Sequence, residues 1–152
     1  HGSPELASRD AYLLSWDGNP QFLEHTALSL NAVYGALGKL KTRRVLIAMD
    51  ACFSGAGGRS VISRGARPLV AINEGDLPPG LTVLAAAAQD ETAQGLESEG
   101  HGIFTYFLLK ALGEGKRGTR ELCRYATPQV KAAAARENRA QSPVCRVPEF
   151  RF

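Results

Sequence analysis

Three cysteines, one tryptophan and one methionine are all that 152 residues hold of those types, and each scarcity closes off a class of protein. Cysteines at 52, 123 and 145 match no metal-ligand spacing and cannot all pair with one another. Neither a zinc module nor a disulfide framework is therefore expected. Cys123 in ELCRY and Cys145 in PVCRV sit among apolar neighbours and read as inert packing thiols, and this usage fits a reducing cytoplasm. No apolar run approaches the roughly 20 residues that a bilayer-spanning helix needs, and no basic-then-apolar leader opens the chain. No membrane association is expected. A strong excess of one charge is also missing, since 18 Lys and Arg against 15 Asp and Glu leave a net charge of +3. The arginines are scattered, with a mild concentration between Arg117 and Arg151, and no basic stripe carries interleaved aromatics. Nucleic acid is not expected as a partner.

What is present suits one globular domain with a core: 44% hydrophobic and 22% charged residues over 1–152. Residues 1–24, rich in Gly, Pro, Asn and Asp, read as a long surface loop. From Thr26 to Lys41, the residues Leu30, Val33, Tyr34, Leu37 and Leu40 recur at helical spacing. Val45–Met49 is a continuous apolar run, which predicts a strand buried on both faces, as in a parallel sheet. PLVAIN at 68–73 and LTVLAAAA at 81–88 are further strands, parted by the turn-forming EGDLPPG. After the polar loop QDETAQGLESEGHG, a helix is predicted from Ile103 to Leu112. A last helical stretch runs from Thr119 to about Ala140, with Thr127 and Pro128 starting a second helix inside it. The tail SPVCRVPEFRF reads as extended or loop. The helix–strand alternation is that of an α/β fold.

Cys52 differs from the other two cysteines because it falls just past the end of the predicted strand 45–49, the edge at which open α/β sheets bind ligands. Phe53-Ser54-Gly55 lets the backbone turn sharply and leaves amides free to bind an oxyanion and to lower a thiol's pKa. A buried structural cysteine beside a tight turn would look the same at this level. Other motifs fail by counting. Six residues separate Cys52 from Arg59, one more than a phosphatase loop allows. A hydrolase elbow would need glycine where Cys52 stands, and SGAGGRS has no P-loop lysine.

A thiolate peptidase also needs a histidine to take and return protons. In caspases it lies about 50 residues before the cysteine. His1 stands 51 positions before Cys52 and is followed by glycine. His25 is only 27 positions upstream at a predicted helix start, and His101, although followed by glycine, opens the 103–112 helix; both read as capping or loop residues.

Together His1-Gly2, Asp50-Ala51-Cys52-Phe53-Ser54-Gly55 and Gly102-Ile103-Phe104-Thr105 ahead of a Leu-rich helix resemble the caspase/metacaspase superfamily, most of all its prokaryotic caspase-like members. The likeness runs over nearly the whole chain. It implies a three-layer α/β/α fold of the caspase–hemoglobinase type with a mostly parallel central sheet. It implies a cysteine endopeptidase in which His1 is general base, Cys52 forms a thioester with the substrate, and the amides of Gly2 and Cys52 bind the oxyanion. Enzymes of the superfamily that cut after aspartate carry Gln two residues before the cysteine. Here Asp50 stands there, as in relatives that cut after arginine or lysine. A carboxylate on the pocket floor pairs with a cationic side chain and repels an acidic one. Asp90 or Glu91 is a looser match for a second pocket acid. Residues 53–68 occupy the place of the caspase intersubunit loop, where Arg59, Arg64 and Arg67 offer autocleavage sites to a basic-specific enzyme.

The resemblance has gaps. The strands that precede the His-Gly pair in the family are absent from this sequence, so an upstream part of the same domain or a partner chain is expected to complete the sheet. The acid clusters that bind calcium in many metacaspases are not visible, so no cofactor is expected while calcium activation stays open. Besides a protein or peptide substrate, the rival reading is a catalytically silent scaffold or regulatory interaction domain. A more remote one is a flavodoxin-like domain with a small ligand at the Cys52 loop.

Overall fold

A computed structural model describes residues 2–5, 10–42, 44–51, 77–88, 91–96, 99–146, 150 and 151. The protein is a mixed α/β assembly of small sheets and four helices among these residues. Expectations that fall on His1, Cys52, the 53–68 loop with Arg59, Arg64 and Arg67, the strand at 68–73, and Asp90 lie outside the described residues.

The first correction concerns the segment read as a surface loop. β1 (Gly2–Glu5) and β2 (Asp10–Leu14) pair antiparallel, with Gly2 opposite Leu13. After the short helix α1 (Leu23–Thr26), β3 (Ala27–Ser29) adds to β2, with Tyr12 opposite Ser29. Ala11 and Tyr12 are buried, so β2 is a core element. Polar turn residues on either side mask a strand this short, because five residues give too little alternation to stand out. β3 also shortens the next helix: α2 runs over Leu30–Gly38, and the Ser29 hydroxyl accepts from Ala32 N at 3.1 Å as its N-cap.

The second sheet has the order β4-β5-β8. β4 (Val45–Met49) and β5 (Leu81–Ala85) are parallel, and β8 (Val144–Arg146) runs antiparallel along the other side of β5. Pro79 and Gly80 form the turn into β5: Leu81 N donates to Pro78 O at 3.2 Å, and Gly80 takes φ +85°. Proline followed by a left-handed glycine suits the two central positions of a type II turn. All five residues of β5 are buried. The both-faces-buried strand is thus β5 and not β4, whose Val45, Leu46 and Ile47 are half-buried and whose Ala48 is exposed. β4 lies at the edge of the described sheet, so it has a neighbour on one side only.

Alternation along the strands sorts the core into two faces. Val45, Ile47, Met49, Leu81 and Val83 pack with Ala11 and with Leu30 and Tyr34 of α2. Leu46, Leu84 and Ala86 pack on the other face with α3 (Ile103–Gly113) and α4 (Thr119–Arg136). α4 is one continuous helix, and Pro128 sits inside it instead of starting a second. Its buried stripe Thr119, Leu122, Ala126, Val130 and Ala134 keeps a single line across Pro128. Pro128 and Arg124, whose carbonyl loses its amide partner to the proline ring, are exposed, so water can serve that carbonyl. Packing of the stripe outweighs the local break.

The cysteines require a further correction. Cys123 on α4 and Cys145 on β8 are joined in a disulfide, 22 residues apart in sequence. Packing α4 over the sheet brings the two together, which spacing alone could not show. The argument from unpaired thiols to a reducing compartment loses its premise. No described helix is long and apolar enough to cross a membrane.

Candidate functional site

β4 ends at Met49 and β5 at Ala85, and Ala86 N donates to Met49 O at 2.9 Å, so the two parallel strands finish side by side. Asp50 is the first residue beyond β4. α3 begins at the same edge, because the ribbon of β6 (Gly95–Leu96) and β7 (His101–Gly102) delivers Gly102 as its N-cap. Gly102 has no side chain with which to cap, and although the Ile103 amide donates to Gln94 O at 2.9 Å, the Thr105 amide still needs an acceptor. Asp50 supplies the missing acceptor. The Thr105 amide donates to Asp50 Oδ2 at 3.0 Å, and the Thr105 hydroxyl donates to the same oxygen at 2.6 Å. A negative carboxylate at a helix N-terminus also meets the positive end of the helix dipole.

Only glycine fits at 102. A Cβ there would lie 2.0 Å from Asp50 Oδ2 and 2.6 Å from its Cγ, so any side chain would push the carboxylate off the helix. Two of the segments singled out in the sequence, the one containing Asp50 and Gly102-Ile103-Phe104-Thr105, therefore meet at one carboxylate. Asp50 is exposed, and no described residue donates to its Oδ1. The arrangement can hold a negative charge at a fixed point with one oxygen turned to solvent. Asp50 thus already serves the fold as a strand-end carboxylate, accepting from the amide and the hydroxyl of Thr105. Thr105 is the partner of Asp50 that sequence reasoning passed over; its place in the fourth position of the G-I-F-T segment was the available signal.

Glu91 has a different environment. Its Oε1 accepts from the Ser142 hydroxyl at 2.9 Å, while Oε2 accepts from the Ser142 amide and, at 3.4 Å, from Ala88 N. Next to it, Gln141 is 1% exposed and bonded at both ends of its amide: Oε1 accepts from Gln94 N at 2.9 Å, and Nε2 donates to Ala86 O at 3.0 Å. Glu91 and Gln141 together stitch the loop after β5 to the segment that enters β8. Glu91 thereby has both oxygens engaged within the protein.

The remaining site residues are more dispersed. Gly2 opens β1 and is half-buried. His25 closes α1 and is exposed. His101 lies in β7 opposite Leu96, exposed, one residue ahead of the N-cap and not itself a cap. Among the described residues, no group of three or more His, Cys, Asp or Glu is placed to hold a metal ion. No protein-family model matches this chain, and no curated protein matches it.

Proposed function

We propose that the chain is the catalytic portion of a caspase-like cysteine endopeptidase that cuts after arginine or lysine, with Asp50 on the floor of the first-subsite pocket. The carrying observation is the fixed carboxylate of Asp50 at the end of β4, pinned by Thr105 and two positions before Cys52 in the chain. The roles of His1 and Cys52 come from the resemblance. His1 takes the thiol proton, and the Cys52 thiolate attacks the scissile carbonyl while the amides of Gly2 and Cys52 bind the oxyanion. His1 then protonates the leaving amine, and a water deprotonated by His1 hydrolyses the thioester. Asp50 and Asp90 are the pocket acids in this reading. Glu91, occupied by Ser142 and Ala88, ties the loop after β5 to the segment entering β8 and takes no part in the pocket.

The edge position of β4 supports the expected partner. Among the described residues β4 pairs on one side only, and its half-buried apolar residues make that edge a place for another strand to add, from the upstream part of the domain or from a partner chain. The 53–68 loop, with Arg59, Arg64 and Arg67, is the proposed processing segment.

One observation favours a second reading, a silent scaffold: capping α3 already gives Asp50 a structural job. Fluorogenic peptides ending in Arg, Lys or Asp, tested on the full-length protein beside Cys52→Ala, separate the two. Cleavage after Arg or Lys that disappears in Cys52→Ala is expected. Cleavage after Asp would remove the pocket role of Asp50. No cleavage, with no labelling of Cys52 by a chloromethyl-ketone probe, would leave the scaffold.

A further inference from the structure

Asp50 offers its two oxygens unequally. A carboxylate oxygen accepts in-plane along two lone pairs, and on Oδ2 both directions go to Thr105, one to its amide and one to its hydroxyl. Gly102 closes the other flank, since even a methyl group there would overlap Oδ2. The carboxylate cannot rotate to exchange its oxygens without losing both bonds, and among the described residues only Oδ1 has free acceptor capacity. Arginine surpasses lysine at a carboxylate chiefly because its planar fork makes two parallel N–H···O bonds, one to each oxygen. Lysine is a compact charge that needs one oxygen.

We propose that Thr105 is a positioning residue that presents Asp50 to a cationic side chain through Oδ1 alone, so that the pocket separates cations from anions but arginine from lysine only weakly. The inference rests on Asp50 being the pocket floor. It adds a determinant outside the pocket acids themselves: the hydroxyl of a helix residue 55 positions away sets how many substrate bonds Asp50 can make. Removing that hydroxyl while keeping the amide frees one lone pair on Oδ2 and restores the two-oxygen fork to arginine.

The test compares kcat/KM for matched peptides ending in Arg, Lys and Asp on the full-length protein, on Thr105→Val, on Thr105→Ala and on Thr105→Ser. The native protein is expected to favour Arg over Lys by only a few-fold. Thr105→Ala is expected to raise that ratio about tenfold, the worth of one charge-assisted hydrogen bond, Thr105→Val, which puts a methyl where the hydroxyl stood, to raise it less, and Thr105→Ser to return it to the native value. Thr105→Ala removes the hydroxyl without a new methyl branch, and the native ratio needs no variant at all, so poor folding of Thr105→Val leaves the answer intact. A role limited to capping α3 would lower activity on Arg and Lys peptides equally and leave their ratio unmoved, which overturns the proposal. A native preference for Arg of about a hundredfold, the worth of two charge-assisted bonds, overturns it as well. An inactive native protein overturns the pocket reading, and this inference with it, and is distinguished by the absence of any cleavage to compare.

Discussion

Two acids follow two neighbouring parallel strands, and their surroundings give them opposite freedom. Asp50 after β4 is exposed and fastened through one oxygen, to Thr105. Glu91 after β5 is half-buried and accepts through both oxygens, from Ser142 and Ala88. The β4 corner is held by two hydrogen bonds and leaves an acceptor to solvent. The β5 corner is tied down by Glu91, by Gln141 with both ends of its amide bonded and, through β8, by the Cys123–Cys145 bond. Charge sign alone does not distinguish the two corners; the count of unspent oxygens does.

The largest expected effect lies on the locked corner. Cutting the Cys123–Cys145 link with Cys123→Ser frees a closed loop spanning 22 positions, and chain entropy puts the loss at about 3 kcal/mol. Thermal unfolding with and without a dithiol reductant should show that loss for the native chain. Cys123→Ser should be insensitive to reductant and match the reduced native protein. An equal response of both proteins would mean that the bond does not brace β8.

The two acids themselves give the next comparison. Glu91→Ala strips partners from the Ser142 amide and hydroxyl and is expected to destabilise by about 1–3 kcal/mol, with the preference among Arg, Lys and Asp peptides unchanged. Asp50→Asn keeps an oxygen that can cap Thr105 but removes the charge. It is expected to reduce kcat/KM on Arg and Lys peptides by about a hundredfold, at little cost in melting temperature. If Glu91→Ala changes the peptide preference, the division between a locked and an open corner fails.

Much of the scaffold was legible because it rests on local signals. The run Leu81–Ala85 is a fully buried strand, Pro79-Gly80 is its turn, and Ile103 begins the helix that its apolar spacing predicts. The misreadings share a cause: contacts distant in sequence outweighed local propensity. Pro128 is carried through α4 because Leu122, Ala126, Val130 and Ala134 keep one stripe against the core. β1 and β2 exist because Ala11 and Tyr12 are buried, although their flanking residues look like loop. Of the site, Asp50 was visible from its place before Cys52, whereas its partner Thr105 lies 55 residues on, and no spacing rule joins them. Cys123 and Cys145 were hidden in the same way.

The smallest effect concerns the corner between α3 and α4, where exposed carboxylates are held by hydrogen bonds and not by burial. Glu121 reaches back to the amides of Gly118 and Arg117, at 3.3 and 3.2 Å, and these bonds hold its pKa below the ordinary 4.5. Glu114 is lowered from the same value, first by its bond to Lys116 at 2.7 Å and then by the Tyr125 hydroxyl at 2.6 Å. A carboxylate depressed on folding contributes stability that is complete above 4.5 and lost as pH falls through the lower folded value. Tyr125 has the opposite sign. Its bond to Glu114 raises it from 10.0, so its contribution is present below that pH and is lost as pH rises through the folded value. Melting temperatures of the native chain, Glu114→Gln and Glu121→Gln should therefore differ slightly near neutrality, where surface pairs contribute little. The differences should shrink below pH 4.5 and disappear once both glutamates are protonated. A gap that persists undiminished at pH 3 would assign the effect to side-chain shape instead of charge.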